Sequence, residues 1–139
     1  MATSSKPKSA ANAEVEAHSA LTNRMKDAQH VIGPTLAATL QTQAQLINTF
    51  MQAQGFWESD NTGEKIALMH SGLSEALEAD RKGLEAEHIE GFSGVEEELA
   101  DCVIRILDFA AHHDLRLGEA VSAKVAYNLT RPYKHGKAY

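Results

Sequence analysis

A single cysteine, Cys102, stands among the 139 residues, so the chain has no disulfide framework. A lone thiol of this kind fits a reducing compartment. Aromatic residues make up only 6% of the chain, which favours aliphatic helix packing over a β-sandwich. No run approaches the ~18 apolar residues of a membrane-spanning helix, and the amino terminus lacks the apolar core of a signal peptide. The expectation is a cytoplasmic protein with no membrane partner. Positive charge is also short: 13 Lys and Arg against 19 Asp and Glu give a formal net charge of −6. That balance argues against a grip on a nucleic-acid polymer, which depends on neutralising phosphates. It leaves room for a small phosphate-bearing molecule if cations bridge the two. Neither a strand pattern nor an internal repeat is visible.

What remains is helical. Residues 1–12, MATSSKPKSAAN, are small, polar and basic, and read as a disordered tail. Over residues 13–34 a patchy stripe of Val15, Leu21, Met25 and Ala28 gives a weak helix, and Gly33-Pro34 breaks it. A single helical domain is expected over residues 35–139. Its first helix carries Leu36, Leu40, Ala44, Ile47 and Met51 at spacings of three and four, and Gly55 ends it. Phe56 and Trp57 follow in a loop, as a lid on the core or as a platform for a flat ligand. The next helix, capped by Asn61 or Thr62, has one apolar stripe of Ile66, Met69, Leu73 and Leu77. A second stripe contains Leu68, Gly72, Glu75 and Ala79. Ser93-Gly94-Val95-Glu96 matches a capping box and opens a third helix. Apolar residues cover more than half of its circumference, leaving a stripe of Glu98, Asp101, Arg105, Asp108 and His112. A last helix runs from Glu119 to about Thr130. The fold class expected is all-α, an antiparallel helix bundle of about four principal helices.

Carboxylates recur three residues apart on two of these helices, Glu75 with Glu78 and Glu98 with Asp101. An i, i+3 pair projects from one side of a helix, so two packed helices could bring four carboxylates to one space. Acids crowded together repel unless a cation joins them. All-oxygen ligation selects a hard cation, Mg²⁺ first and Mn²⁺ as a substitute. Glu96 and Glu97 are read as solvated surface charges. Di-iron bundles need Glu-x-x-His on two helices, and the only instance, Glu85 to His88, falls in a connector. Zinc chemistry finds no partner pair for His112 and His113. Lys124, Asn128, Arg131 and Lys134 form a positive face late in the chain. Carboxylates that hold a metal, followed by such a face, are what a polyphosphate requires.

The segments IALMHSGLSEALEADRKG, EEELADCVIRILDFA and KVAYNLTRPYKHGKAY resemble the MazG-like all-α nucleoside triphosphate pyrophosphohydrolases, over roughly Phe56 to Tyr139. The resemblance implies Mg²⁺-dependent cleavage of a (d)NTP between the α- and β-phosphates, giving (d)NMP and pyrophosphate. It implies homodimers or homotetramers, and a role in nucleotide-pool control or house-cleaning. On this pattern Glu75, Glu98 and Asp101 are metal ligands, and Glu78, one turn further along the helix, assists them as a fourth. Glu75, Glu78 and Glu98 carry the catalysis, with Glu78 or another acid orienting the attacking water. Lys124, Asn128, Arg131 and Lys134 hold phosphates, and Phe56 or Trp57 stacks on the base. One position departs from the family pattern. Gly72 stands where the first acid of the E-x-x-E pair is expected. The alternative reading is therefore a catalytically weakened, nucleotide-binding helical bundle that acts as a sensor or interaction module.

Overall fold

The computed structural model describes residues 10–132. They form four helices, α1 (Ala10–Ala53), α2 (Thr62–Lys82), α3 (Gly94–His112) and α4 (Leu117–Asn128). Among the described residues there is no strand, and one isolated antiparallel bridge joins Glu85 to Ser93. The fold is all-α, with the four principal helices the sequence predicts. No helix among the described residues is long and apolar enough to cross a membrane. Of the expected amino-terminal tail, residues 1–9 lie outside the described residues, and residues 10–12 already belong to α1.

The chain divides into two compact units, Met1–Ala37 with Gly118–Tyr139, and Ala38–Leu117. The expected single domain over 35–139 therefore has a boundary inside it, and the amino-terminal helix shares a unit with the carboxy-terminal one. In that unit α4 runs antiparallel to α1. Gln29 and Gly33 meet Ser122, and Ala37 meets Gly118. The break predicted at Gly33-Pro34 does not occur, because α1 continues through Pro34. An interior proline removes a helical hydrogen bond and costs roughly 3 kcal/mol relative to alanine. Packing offsets that loss. Gly33 is buried against α4, and Gln29 Nε2 donates to both the carbonyl and the hydroxyl of Ser122, at 3.2 and 3.1 Å.

The second unit holds the end of α1 with α2 and α3. Met69 and Gly72 lie against Cys102, Leu68 against Arg105, and Ala79 against Gly94. Numbers rising along α2 meet numbers falling along α3, so the pair is antiparallel. The buried face of α2 is Gly72, Ala76 and Ala79. Small residues let the two backbones approach closely. The stripe expected to face the core is displaced by this contact: Ile66, Leu73 and Leu77 are 43%, 53% and 50% exposed. On α3, Cys102, Leu107 and Ala110 are buried, while Leu99, Val103 and Ile106 face outward. The expected burial of α3 on most sides is not met within one chain.

The helix ends obey local chemistry. Asn61 caps α2 by accepting from the Glu64 amide at 3.2 Å. Gly83 ends α2 in the left-handed region (φ 59°), and its N–H reaches the carbonyls of Ala79 and Asp80. This conformation carries a steric cost for other residues. Ser93 and Glu96 form the capping box predicted for α3, each side chain bonding the other's backbone amide.

Candidate functional site

Three consecutive glutamates at the start of α3 do three different things. Glu96 completes the capping box, and the bonds from Ser93, first its amide and then its hydroxyl, hold the Glu96 carboxyl below the usual range. Glu97 turns to the connector before α3. Its Oε2 accepts from the Glu87 amide at 2.7 Å, and its Oε1 accepts from the His88 amide at 3.0 Å. These bonds, that from Glu87 foremost, lower its proton affinity. The expectation that Glu97 is a solvated surface charge is corrected here. Glu98, with no such backbone partner, turns to the acids of α2.

A cavity of about 250 Å³ lies there, lined from α2 by Glu75 and Glu78, from the connector by Glu85 and Glu87, and from α3 by Glu97 and Glu98. Glu98 is pushed above the usual carboxylate range, first by burial and then by the charge and hydrogen-bonding contact of Glu75, with Asp101 adding repulsion. Glu75 also accepts a hydrogen bond from Ser71 at 3.1 Å. The other two predicted ligands are engaged elsewhere. Glu78 pairs with Lys82 at 2.6 Å, and Asp101 lies 3.9 Å from the Arg105 guanidinium. Among the described residues no three His, Cys, Asp or Glu side chains converge tightly enough to hold an ion as they stand. Of the four predicted metal ligands, the structure brings Glu75, Glu78 and Glu98 to one cavity, and Asp101 is not part of its lining. The donor set still fits a hard divalent cation in kind. It is all oxygen, and Glu75 already opposes the ionisation of Glu98, which a cation would relieve.

Gly72 borders this pair. A Cβ there would meet Cys102 Sγ at 2.7 Å and Arg105 Nη1 at 3.2 Å. Cys102 is buried and donates to the Met69 carbonyl at 3.5 Å, and burial raises its thiol pKa, which argues against a reactive role. Arg105 donates to the Leu68 carbonyl at 2.7 Å. The space of the missing acid is thus shared by a thiol and a guanidinium.

At the other end of α3 the polar stripe serves a different purpose. Asp108, only 5% exposed, accepts from Asn48 Nδ2 at 2.8 Å and from Trp57 Nε1 at 3.0 Å to each carboxylate oxygen. His112 stacks on the Trp57 ring at 3.5 Å, and Lys65 Nζ lies 4.5 Å from the ring centroid. A ring stacked that closely leaves no room for an ammonium on the same side, so both faces of Trp57 are occupied. Trp57 is the lid on the core, the first of the two roles its sequence position allows. Phe56 is 56% exposed, and both aromatics border a cavity of about 270 Å³ with Met51, Leu68, Phe109, Lys65 and Arg105.

Sequence reasoning missed Lys65 as a member of this neighbourhood, whereas it put Arg105 and Asp108 on the acid stripe of α3 without a role in the site. Glu98, Asp101, Arg105, Asp108 and His112 repeat at steps of three and four, which places Arg105 and Asp108 on the same face as the acids. Lys124, Asn128 and Arg131 belong to the unit that contains α4, where Lys124 Nζ lies 4.9 Å from the Tyr127 ring centroid. Lys134 lies outside the described residues. Comparison of the chain with models of protein families, with curated proteins and with solved structures finds no match.

Proposed function

We propose that the protein is a Mg²⁺-dependent nucleotide pyrophosphohydrolase of the MazG-like kind, cleaving a (d)NTP to (d)NMP and pyrophosphate. The observation that carries this reading is that Glu75, Glu78 and Glu98, from antiparallel α2 and α3, line one acid-rich cavity, where Glu75 raises the proton affinity of Glu98. Glu75 and Glu98 would hold the cation, with Asp101 released from Arg105 and Glu78 from Lys82 to complete its sphere. Bound there, Mg²⁺ (or Mn²⁺) supplies charge neutralisation and an acidified water. Glu78, half exposed and beside the pair, is placed to accept a proton from that water. Phe56 offers the free aromatic face for a base, in preference to Trp57. Lys65 and Arg105 are cations in the same unit as the acids. Phosphate contacts from Lys124, Asn128, Arg131 and Lys134 rest on the sequence pattern alone.

The exposed aliphatic stripes of α2 and α3 support the homo-oligomer that the family pattern implies. Location in the cytoplasm rests on the lone buried thiol. The test is release of pyrophosphate from ordinary and modified (d)NTPs with Mg²⁺. We expect turnover by the wild type and a loss of at least a hundredfold in Glu98→Gln. Release that survives Glu98→Gln refutes the role given to the carboxylates, and its absence in the wild type refutes the activity.

Packing at Gly72 favours the second reading, a nucleotide-binding bundle with weakened catalysis. A glutamate cannot enter at 72 without displacing Cys102. Gly72→Glu combined with Cys102→Ala makes the room. A large gain in turnover in that double variant supports a degenerate enzyme, and an unchanged, active protein refutes it.

A further inference from the structure

The connector between α2 and α3 is rich in charge, yet it is closed on itself. Gly94 N–H donates to the Leu84 carbonyl at 2.8 Å and Ala86 N–H to the Phe92 carbonyl at 3.1 Å, while Glu85 bridges Ser93. These bonds fasten the base of the loop. Its middle is held from outside, by Glu97. The two backbone amides that point at this carboxylate, those of Glu87 and His88, are consecutive. The His88 ring adds a third contact, Nδ1 lying 3.1 Å from Oε1. The Glu97 side chain is 14% exposed, so water competes little for bonds that carry a full negative charge.

The same loop is a wall of the acid cavity. Glu85 and Glu87 line it together with Glu75, Glu78, Glu97 and Glu98. Like charges around one space repel, and the Glu97 bonds end on the backbone of Glu87 itself. Glu97 is also the immediate neighbour of Glu98. One turn of α3 therefore presents acids to the cavity and anchors the connector that completes its lining.

We propose that Glu97 is a positioning residue: by holding the Glu87 and His88 amides it fixes the connector as a wall of the acid cavity and sets the spacing of carboxylates that receive a divalent cation. This rests on the metal-site reading above. Removing the partners that orient metal ligands commonly weakens metal binding about 10–100-fold.

Two variants of the full chain separate tethering from charge. Glu97→Gln keeps the shape but loses the charge and one acceptor. Glu97→Asp keeps the charge but is one methylene too short to reach both amides. Each is read by amide hydrogen exchange and by Mn²⁺ titration followed by electron paramagnetic resonance. We expect both to speed exchange at Glu87 and His88 at least tenfold, with amides inside α2 and α3 unchanged, and both to weaken Mn²⁺ binding about tenfold. Wild-type Mn²⁺ affinity in Glu97→Asp alone overturns the proposal, because charge then explains the effect. Faster exchange without weaker Mn²⁺ binding overturns it too, as does a wild type that binds no Mn²⁺. A wild type whose Mn²⁺ binding depends on Glu97 in this way but that releases no pyrophosphate refutes the proposed activity and leaves this role standing.

Discussion

Gly72 and Cys102 compete for one space between α2 and α3. A methyl on residue 72 would sit 2.7 Å from the Cys102 sulfur, so Gly72→Ala sets two effects against each other. Alanine gains roughly 1 kcal/mol over glycine in a helix interior. Overpacking costs typically about 1–3 kcal/mol. The sulfur has one rotatable bond and is buried on a packed helix, so it cannot swing clear, and the clash should win. Gly72→Ala is expected to destabilise by about 1 kcal/mol, being the difference of those two effects. In a Cys102→Ala background the sulfur is gone, and the same substitution should be neutral or stabilising. Urea unfolding of the four variants measures the coupling. Additive changes, agreeing within about 0.3–0.5 kcal/mol, would show that the two side chains do not share the space. Coupled changes would mark the glycine as a residue fixed by its neighbour across the helix pair.

At the scale of elements, the joint between α1 and α4 offers a contrast of two glycines. A Cβ on Gly118 would press into the Ala37 backbone, 3.0 Å from its Cα and against its carbonyl oxygen. A Cβ on Gly33 would meet Ser122 Oγ at 2.5 Å and Gln29 Nε2 at 2.9 Å, the ends of two side chains that can turn away. Backbone cannot yield without moving a helix. Gly118→Ala should therefore lower the melting temperature clearly, by the equivalent of about 1–3 kcal/mol, while Gly33→Ala should cost less. Equal shifts in a thermal melt would refute this account of the joint. The same elements mark what was legible in the sequence. The capping box at Ser93 and the cap at Asn61 were readable because a cap is a contact between near neighbours. The continuity of α1 through Pro34 was not, because the compensation comes from Ser122, nearly ninety residues away. Glu97 was misread for a related reason. Its sequence neighbours are acids, and nothing in a run of three glutamates shows that one of them finds two amides in the connector. The acid cluster was half legible: helical spacing shows that Glu75, Glu78 and Glu98 can share one cavity, as they do, but not the ion pairs that Glu78 and Asp101 make with Lys82 and Arg105.

For the molecule as a whole, the question is what the large aliphatics are doing. On α2, Ile66, Leu73 and Leu77 lie seven and four residues apart, and on α3 Leu99, Val103 and Ile106 lie four and three apart, all exposed. Each set is one helical stripe, and both stripes belong to the same unit. The core beneath them is built of Ala44, Ala76, Ala79, Cys102, Leu107 and Ala110, and no large side chain in the described residues is fully buried. At about 25 cal/mol per Å² of apolar area removed from water, small residues supply little stabilisation. The leucines, isoleucines and valine left outside hold the larger share, and exposed apolar stripes are the surfaces that association would bury. A second copy presenting the same stripes would bury them in a bundle with helical seams on both sides. The expected outcome is a homo-oligomer whose melting temperature rises with protein concentration, because association stabilises only the folded chain. Leu73→Glu with Val103→Glu places a charge in each stripe and touches neither the acid pair nor the caps. That variant should sediment as a monomer and melt earlier than the wild type. A wild type that sediments as a monomer, or a variant that assembles and melts like it, would mean that the exposed stripes are not where the chain completes its core.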